Sequence, residues 1–218
     1  MPELRQDDGV FVLDLGDEEN RLSPDWLKNV HSLLDSVVDH PGPAALVTAG
    51  RGKFFSNGLD LDWLAGHGDQ LVPYVADVQA LLARVLTLPV PTIAAVNGHA
   101  FGAGAMLALA HDFRIMRADR GYFCFPEIDI PLPFAPGMAA LVQGKLTPAA
   151  AVASMTTGKR FGGVEARALG LVDDVADEAA LVQAAIERVR PLVGKDRATL
   201  GGIKSTMYGT IATALTAR

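Results

Sequence analysis

The chain has 218 residues, 50% of them hydrophobic and 20% charged, with a formal net charge of −6. That length and apolar content suffice for one sizeable core, so a single domain over 1–218 is expected. The acidic balance argues against nucleic acid or an anionic membrane surface as a partner. A lone cysteine, Cys124, excludes an intrachain disulfide and a cysteine-cluster metal site, and its apolar neighbours make it a small buried hydrophobe. His31, His40, His67, His99 and His111 show no metal-binding spacing, so no metal is expected. No run of about 18 uncharged apolar residues suggests a membrane span. The first residues lack a signal-like apolar segment, and Thr216-Ala217-Arg218 is not the Ser-Lys-Leu address. A cytoplasmic protein is the expectation.

In chain order, Val10 to Leu15 reads as a strand. Ser23-Pro24 supplies an N-cap hydroxyl and an N1 proline for an amphipathic helix carrying Trp26, Leu27, Val30, Leu34 and Val37 and ending near Pro41-Gly42. Ala44 to Ala49 is a short buried strand, followed by the turn Gly52-Lys53-Phe54-Phe55-Ser56-Asn57-Gly58-Leu59-Asp60-Leu61. Helical periodicity covers Leu71 to Leu88 and stops at Pro89. Thr92 to Val96 is an apolar strand that feeds a second turn, Asn97-Gly98-His99-Ala100-Phe101-Gly102-Ala103-Gly104-Ala105-Met106. Ala103 to Ala110 is apolar all round and belongs in the core. Arg114 to Arg117, Tyr122 to Phe125 and Leu171 to Val175 read as strands, the rest beyond Thr147-Pro148 as helix. Ile203, Met207, Ile211 and Leu215 recur every four residues, as in a terminal amphipathic helix. The strand–helix alternation indicates an α/β fold with right-handed crossovers.

Each glycine turn ends a strand-like run and opens a helix-like run, so each can present an unpaired backbone N–H at a helix N-terminus. Two such donors aimed at one point make an oxyanion hole, and one carboxylate beside it makes a base. Glu127, in Phe125-Pro126-Glu127-Ile128-Asp129-Ile130, is that carboxylate, and its apolar neighbours should raise its pKa. Asp129 should face the opposite side if the loop is extended. Gly98, Gly102 and Gly104 do not spell a dinucleotide-binding fingerprint.

These motifs resemble the crotonase (enoyl-CoA hydratase/isomerase) superfamily from about Val10 to Val175. The stretches Gly52 to Gly58, Leu88 to Val96, Gly98-His99-Ala100 and Asp119-Arg120-Gly121 are similar to the plant-type peroxisomal Δ3,Δ2-enoyl-CoA isomerases. The resemblance implies a crotonase-like ββα spiral over about 1–175 with a short helical part over about 176–218. It further implies a homotrimer or dimer of trimers, and an acyl-CoA thioester as substrate with no separate cofactor. By motif position the oxyanion donors are the N–H groups of Leu59 and Ala103, and the base is Glu127. Arg21, Leu22, Ser56, Asn57, Gly58, Asp60, Leu61 and Gly102 would line the CoA path, with Asn20 in the same early loop as Arg21. Lys53 and Lys145 are candidates for further contacts apart from the resemblance, a solvated surface lysine being the favoured reading of each. Apart from the resemblance, Trp63, Leu64, Phe101 and Phe134 read either as walls of an acyl pocket or as apolar core, and His99, after Asn97-Gly98, reads as a local structural donor. Hydratases of the superfamily carry a second glutamate where Met106 stands, so a double-bond shift is expected over hydration. A hydratase, another CoA-thioester enzyme and a non-catalytic paralogue are the alternatives.

Overall fold

The computed structural model describes residues 1–217. The chain enters through an antiparallel hairpin of β1 (Glu3–Asp7) and β2 (Val10–Asp14). Asp8 and Gly9 between them have φ of 45° and 75°, the left-handed pair that a two-residue hairpin turn needs. Apolar periodicity does not announce β1, because four of its five residues are exposed. Helix α1 (Pro24–Asp39) begins as expected: the Trp26 N–H donates to Ser23 Oγ, and Trp26, Leu27, Val30, Leu34 and Val37 are buried.

Three circuits of similar plan follow. The first runs through β3 (Ala45–Ala49), β4 (Phe54–Ser56), α2 (Leu61–Ala65) and α3 (Leu71–Leu86). The second is β5 (Thr92–Val96), β6 (His99–Phe101) and α4 (Ala103–Ala110). The third is β7 (Phe113–Arg117), β8 (Phe123–Cys124) and α5 (Pro136–Lys145). Each circuit places one strand in each of two sheets and then a helix, which is the expected ββα spiral. One correction applies to both glycine turns. They do not lead straight from strand to helix, since each contains a three-residue strand, β4 or β6, of the small sheet.

The chain continues through α6 (Pro148–Met155), α7 (Gly163–Leu169), β9 (Asp174–Ala176), α8 (Leu181–Val189) and α9 (Arg197–Thr216). The six-stranded sheet has the order β1-β2-β3-β5-β7-β9, parallel except for β1, and the three-stranded sheet is β4-β6-β8, all parallel. The strand expected over Leu171 to Val175 is displaced: Leu171 and Val172 are buried outside any strand, and only Asp174–Ala176 pairs with β7.

Alternation along the large sheet divides the core. Phe11, Leu13, Leu46, Ala94, Val96 and Met116 face the helices α1, α3, α4 and α5. Val10, Val12, Ala45, Val47, Ile93 and Ile115 face α8 through Leu181, Ala185 and Val189. Helix α9 packs on α3 and α5 of its own chain. Its expected apolar face is split, with Leu215 buried, Ile211 half-buried, and Ile203 and Met207 exposed.

Helix α4 crosses β4 so closely that a side-chain carbon on Gly104 would lie 2.3 Å from Ser56 O. Gly104→Ala should therefore destabilise the fold by about 1–3 kcal/mol in denaturant unfolding, as overpacking does. Gly202→Ala, on an exposed part of α9 with nothing within 4 Å, should stabilise it by about 0.5–1 kcal/mol. An equal response at the two positions would contradict this packing.

Candidate active site

Two backbone donors come together because glycine separates them. Gly58 has φ of 80°, and a side-chain carbon there would lie 2.7 Å from Phe101 O and 3.2 Å from Ala103 N. Only a residue without Cβ lets the first turn rest on the N-terminus of α4. The direction of each N–H follows from its peptide plane. The Leu22 N–H donates to Gly58 O at 2.9 Å, and in a trans peptide the C=O and N–H point opposite ways, so the Leu59 N–H points away from Leu22. Likewise Gly102 O accepts the Met106 N–H at 3.0 Å inside α4, so the Ala103 N–H points out of the helix N-terminus, where no helical acceptor exists. Leu59 and Ala103 line one cavity of about 310 Å³.

Glu127 lines the same cavity. Its Oε1 would sit 3.4 Å from a side-chain carbon on Gly102, which puts the carboxylate at the start of α4. The turn that carries it is fixed by Asp129 and Ile130 N–H groups donating to Pro126 O at 2.9 and 3.1 Å, and by Leu132 N–H donating to Glu127 O at 3.0 Å. The segment is therefore a turn and not extended, and Asp129 is exposed and outside the cavity. Glu127 itself is buried, and its Oε2 has no hydrogen-bond partner. Burial pushes its carboxyl up to about 7, against a smaller lowering by its own backbone N–H. Met106, buried on α4, faces the cavity in place of a second carboxylate.

The other expected residues divide into lining and support. Arg21, Asn57, Leu61, Gly102, Phe101 and Phe134 line the cavity. Arg21 does not offer a free charge: its guanidinium pairs with Glu19 at 2.5 Å, with Asp60 at 3.5 Å and with Asp62. Leu22 and Ser56 are fully buried beneath the site. Ser56 Oγ donates to Asn20 O at 2.7 Å and accepts the Gly58 N–H at 3.2 Å, so it builds the turn and does not face the cavity. Buried Asn20, with φ of 50°, donates to Gly16, Phe54 and Phe55 carbonyls. Asp60 caps α2 by accepting the Trp63 N–H at 3.1 Å and lies in an adjoining cleft with Trp63. Leu64 packs on the core.

Three expectations are corrected. Lys53 is exposed over the Phe54 ring, away from the cavity. Lys145 is neither a CoA contact nor a solvated lysine: its amine donates to His111 O at 2.9 Å at the far end of α4. His99 Nδ1 finds no partner, and the ring packs among Phe54, Phe101 and Tyr122. Cys124 is buried as expected, its thiol pushed up to about 11 by burial. Sequence reasoning missed the cavity residues Leu132 and Met138, whose only signal is their place after Glu127 and the Pro136-Gly137 helix start. Among the described residues, no three His, Cys, Asp or Glu side chains are grouped to hold a metal ion, and no helix is long and apolar enough to cross a membrane.

Residues 5–218 match the family described as enoyl-CoA hydratase/isomerase. Enoyl-CoA delta isomerase 3 of Arabidopsis thaliana is 42% identical over 195 residues, covering 85% of this chain and 82% of that protein. The peroxisomal enoyl-CoA delta isomerase 2 of the same plant is 40% identical over 197 residues, with the same two coverages of 85% and 82%. An enoyl-CoA hydratase/isomerase family protein from Pseudomonas syringae superposes with a TM-score of 0.93 at 26% identity, covering 99% of this chain and 94% of that one. The architecture is the crotonase fold. With its paired glycine turns, its glutamate and this likeness along nearly its full length, the chain belongs to the enoyl-CoA hydratase/isomerase family.

Proposed function

We propose that the protein is a Δ3,Δ2-enoyl-CoA isomerase of fatty acid metabolism, moving the double bond of a 3-enoyl-CoA to the 2-position. One observation carries this reading: a single buried carboxylate shares a cavity with two outward-directed amides, and Met106 lines that cavity too. Glu127 takes a proton from C2, breaking that C–H bond, and the electrons pass through the thioester carbonyl to give a dienolate. The N–H groups of Leu59 and Ala103 hold the oxygen that gains charge, each such donor being worth about 2.7–4 kcal/mol. The protonated Glu127 then returns a proton to C4, the C3–C4 double bond shifts to C2–C3, and the base is restored. Arg21, Asn57, Leu61 and Gly102 line the approach of the thioester arm, while Leu22, Ser56, Gly58 and Asp60 shape it from below. No separate cofactor enters this scheme, because coenzyme A arrives as part of the substrate.

A homotrimer or dimer of trimers belongs to the same proposal and is supported by exposed Ile203 and Met207 on α9. A cytoplasmic location belongs to it too; cell fractionation tests it against the peroxisomal location in the name of Arabidopsis enoyl-CoA delta isomerase 2.

Glu127→Gln keeps shape and removes the base, so kcat for isomerisation of 3-hexenoyl-CoA should fall by 10²-fold or more, while CoA-thioester binding stays within a few-fold. Activity retained within tenfold would remove Glu127 from this role.

The base works deprotonated, so kcat/KM should rise with pH and level off above about 7, the value to which burial lifts Glu127. Stability should move the other way. The folded state binds this proton more tightly than the unfolded chain, so the contribution is full below about 4.5 and is lost as pH rises through about 7. Glu127→Gln should therefore gain stability relative to wild type between pH 5 and 8, by up to about 3 kcal/mol in denaturant titrations. A pH-independent difference would contradict the buried, uncompensated carboxyl.

Hydration requires a second acid/base group to handle water, and Met106 supplies none. Crotonyl-CoA should be hydrated about 10²–10⁴-fold more slowly than 3-hexenoyl-CoA is isomerised, measured side by side by absorbance. Equal rates would replace the isomerase assignment with hydratase.

A further inference from the structure

The Leu59 amide is held from both sides by one residue, Leu22, and the second of these holds passes through a buried phenol. On the near side the Leu22 N–H donates directly to Gly58 O at 2.9 Å. On the far side the Asp60 N–H donates to Tyr74 Oη at 2.7 Å, and the Tyr74 hydroxyl donates to Leu22 O at 2.9 Å. The two peptides that flank Leu59 are thus tied to the two backbone groups of Leu22. Tyr74 projects from α3, is 2% exposed and does not line the cavity, so it reaches the site only through these bonds. Its ring lies 5.2 Å from that of Trp63 on α2. The Arg21 ion pairs to Asp60 and Asp62 also hold this stretch, but they act on side chains, and α2, which begins two residues after Leu59, has no buried residue. Burial pushes the phenol up to about 12, so it remains a neutral donor throughout the working range.

We propose that Tyr74 is a positioning residue of the oxyanion hole, its hydroxyl holding the Leu59–Asp60 peptide against Leu22 so that the Leu59 N–H stays aimed at the thioester oxygen. This deepens the isomerase reading and rests on it. The Leu59 N–H lies in the Gly58–Leu59 peptide, and its aim is kept only while the following Leu59–Asp60 peptide also cannot rotate; misplacement by about 1 Å costs up to about 10²-fold in rate. Removing the hydroxyl leaves the Gly58 side of the clamp intact and frees the Asp60 side.

The test is Tyr74→Phe, compared with Val78→Ala, a buried α3 residue one turn on that takes no part in the clamp. Tyr74→Phe is expected to lower kcat by about 10- to 100-fold, less than the 10²–10³-fold loss of a whole oxyanion donor, with KM within twofold. The enolate absorbance of bound acetoacetyl-CoA should fall with it, because that absorbance reports charge held at the oxygen. Val78→Ala should lower the melting temperature and leave kcat and the enolate signal within twofold. In wild-type protein the Asp60 amide should exchange with deuterium slowly, a reading that does not depend on any variant folding. A kcat and enolate signal for Tyr74→Phe within twofold of wild type, an equal loss in Val78→Ala, or fast Asp60 exchange would each overturn the proposal. If wild type binds acetoacetyl-CoA as enolate yet does not isomerise 3-hexenoyl-CoA, the isomerase reading fails while the enolate signal still tests the clamp.

Discussion

The constraint on which the site depends is the direct seating of Gly58 on the N-terminus of α4. There the first glycine turn meets the second without an intervening side chain, and the carbonyl partners of both donors are already engaged elsewhere. Gly58 O is taken by Leu22 and Gly102 O by Met106, so the planar trans peptides leave Leu59 and Ala103 N–H groups directed outward. The donors need no particular side chain, which is why two apolar residues occupy these positions. A buried N–H without an acceptor costs about 1–3 kcal/mol, and a substrate oxygen that gains charge relieves that cost most in the transition state.

Electrostatics are arranged along the same helix. At its N-terminal end stands Glu127, its carboxyl pushed up to about 7 by burial. At its C-terminal end the His111 carbonyl receives Lys145 Nζ at 2.9 Å and Arg114 Nη1 at 3.3 Å, a half-buried and a buried cation where the helix dipole is negative. Arg21 stands at the cavity with its charge already met by Glu19, Asp60 and Asp62. Its pairs join the loop before α1 to the start of α2, while Asn57 also donates to Glu19 at 3.1 Å, so the rim is bound by charge as well as by backbone.

The parts legible in the sequence are those set by local rules. β5 and α4 have the expected bounds, because Pro91 and Gly102 delimit runs apolar enough to be wholly buried. Ser23-Pro24 and Glu127 were equally readable, one from capping chemistry and the other from a carboxylate among Phe and Pro. The parts that were not legible are set by partners distant in the chain. β4 and β6 are three residues each and exist only because the small sheet pairs them. β1 is polar and exposed, and only the Asp8-Gly9 turn marks it. Leu171 and Val172 look like strand because they are apolar, but they fill the core from a loop while the less apolar Asp174–Ala176 pairs with β7. Lys145 reads as a surface lysine because nothing nearby in sequence shows that the His111 carbonyl will accept a hydrogen bond from it. Tyr74 carries no motif at all; its role arises from where α3 crosses the Leu22 and Asp60 backbones.

The central claim is that one shielded carboxylate moves a proton from C2 to C4. The most direct measurement is the fate of the label when 3-hexenoyl-CoA deuterated at C2 is isomerised in ordinary water, read by mass spectrometry at low conversion. A single buried base predicts product in which part of the deuterium lost from C2 is found at C4. Product with only solvent hydrogen at C4 from the earliest turnovers would mean a second proton donor, and would contradict the account.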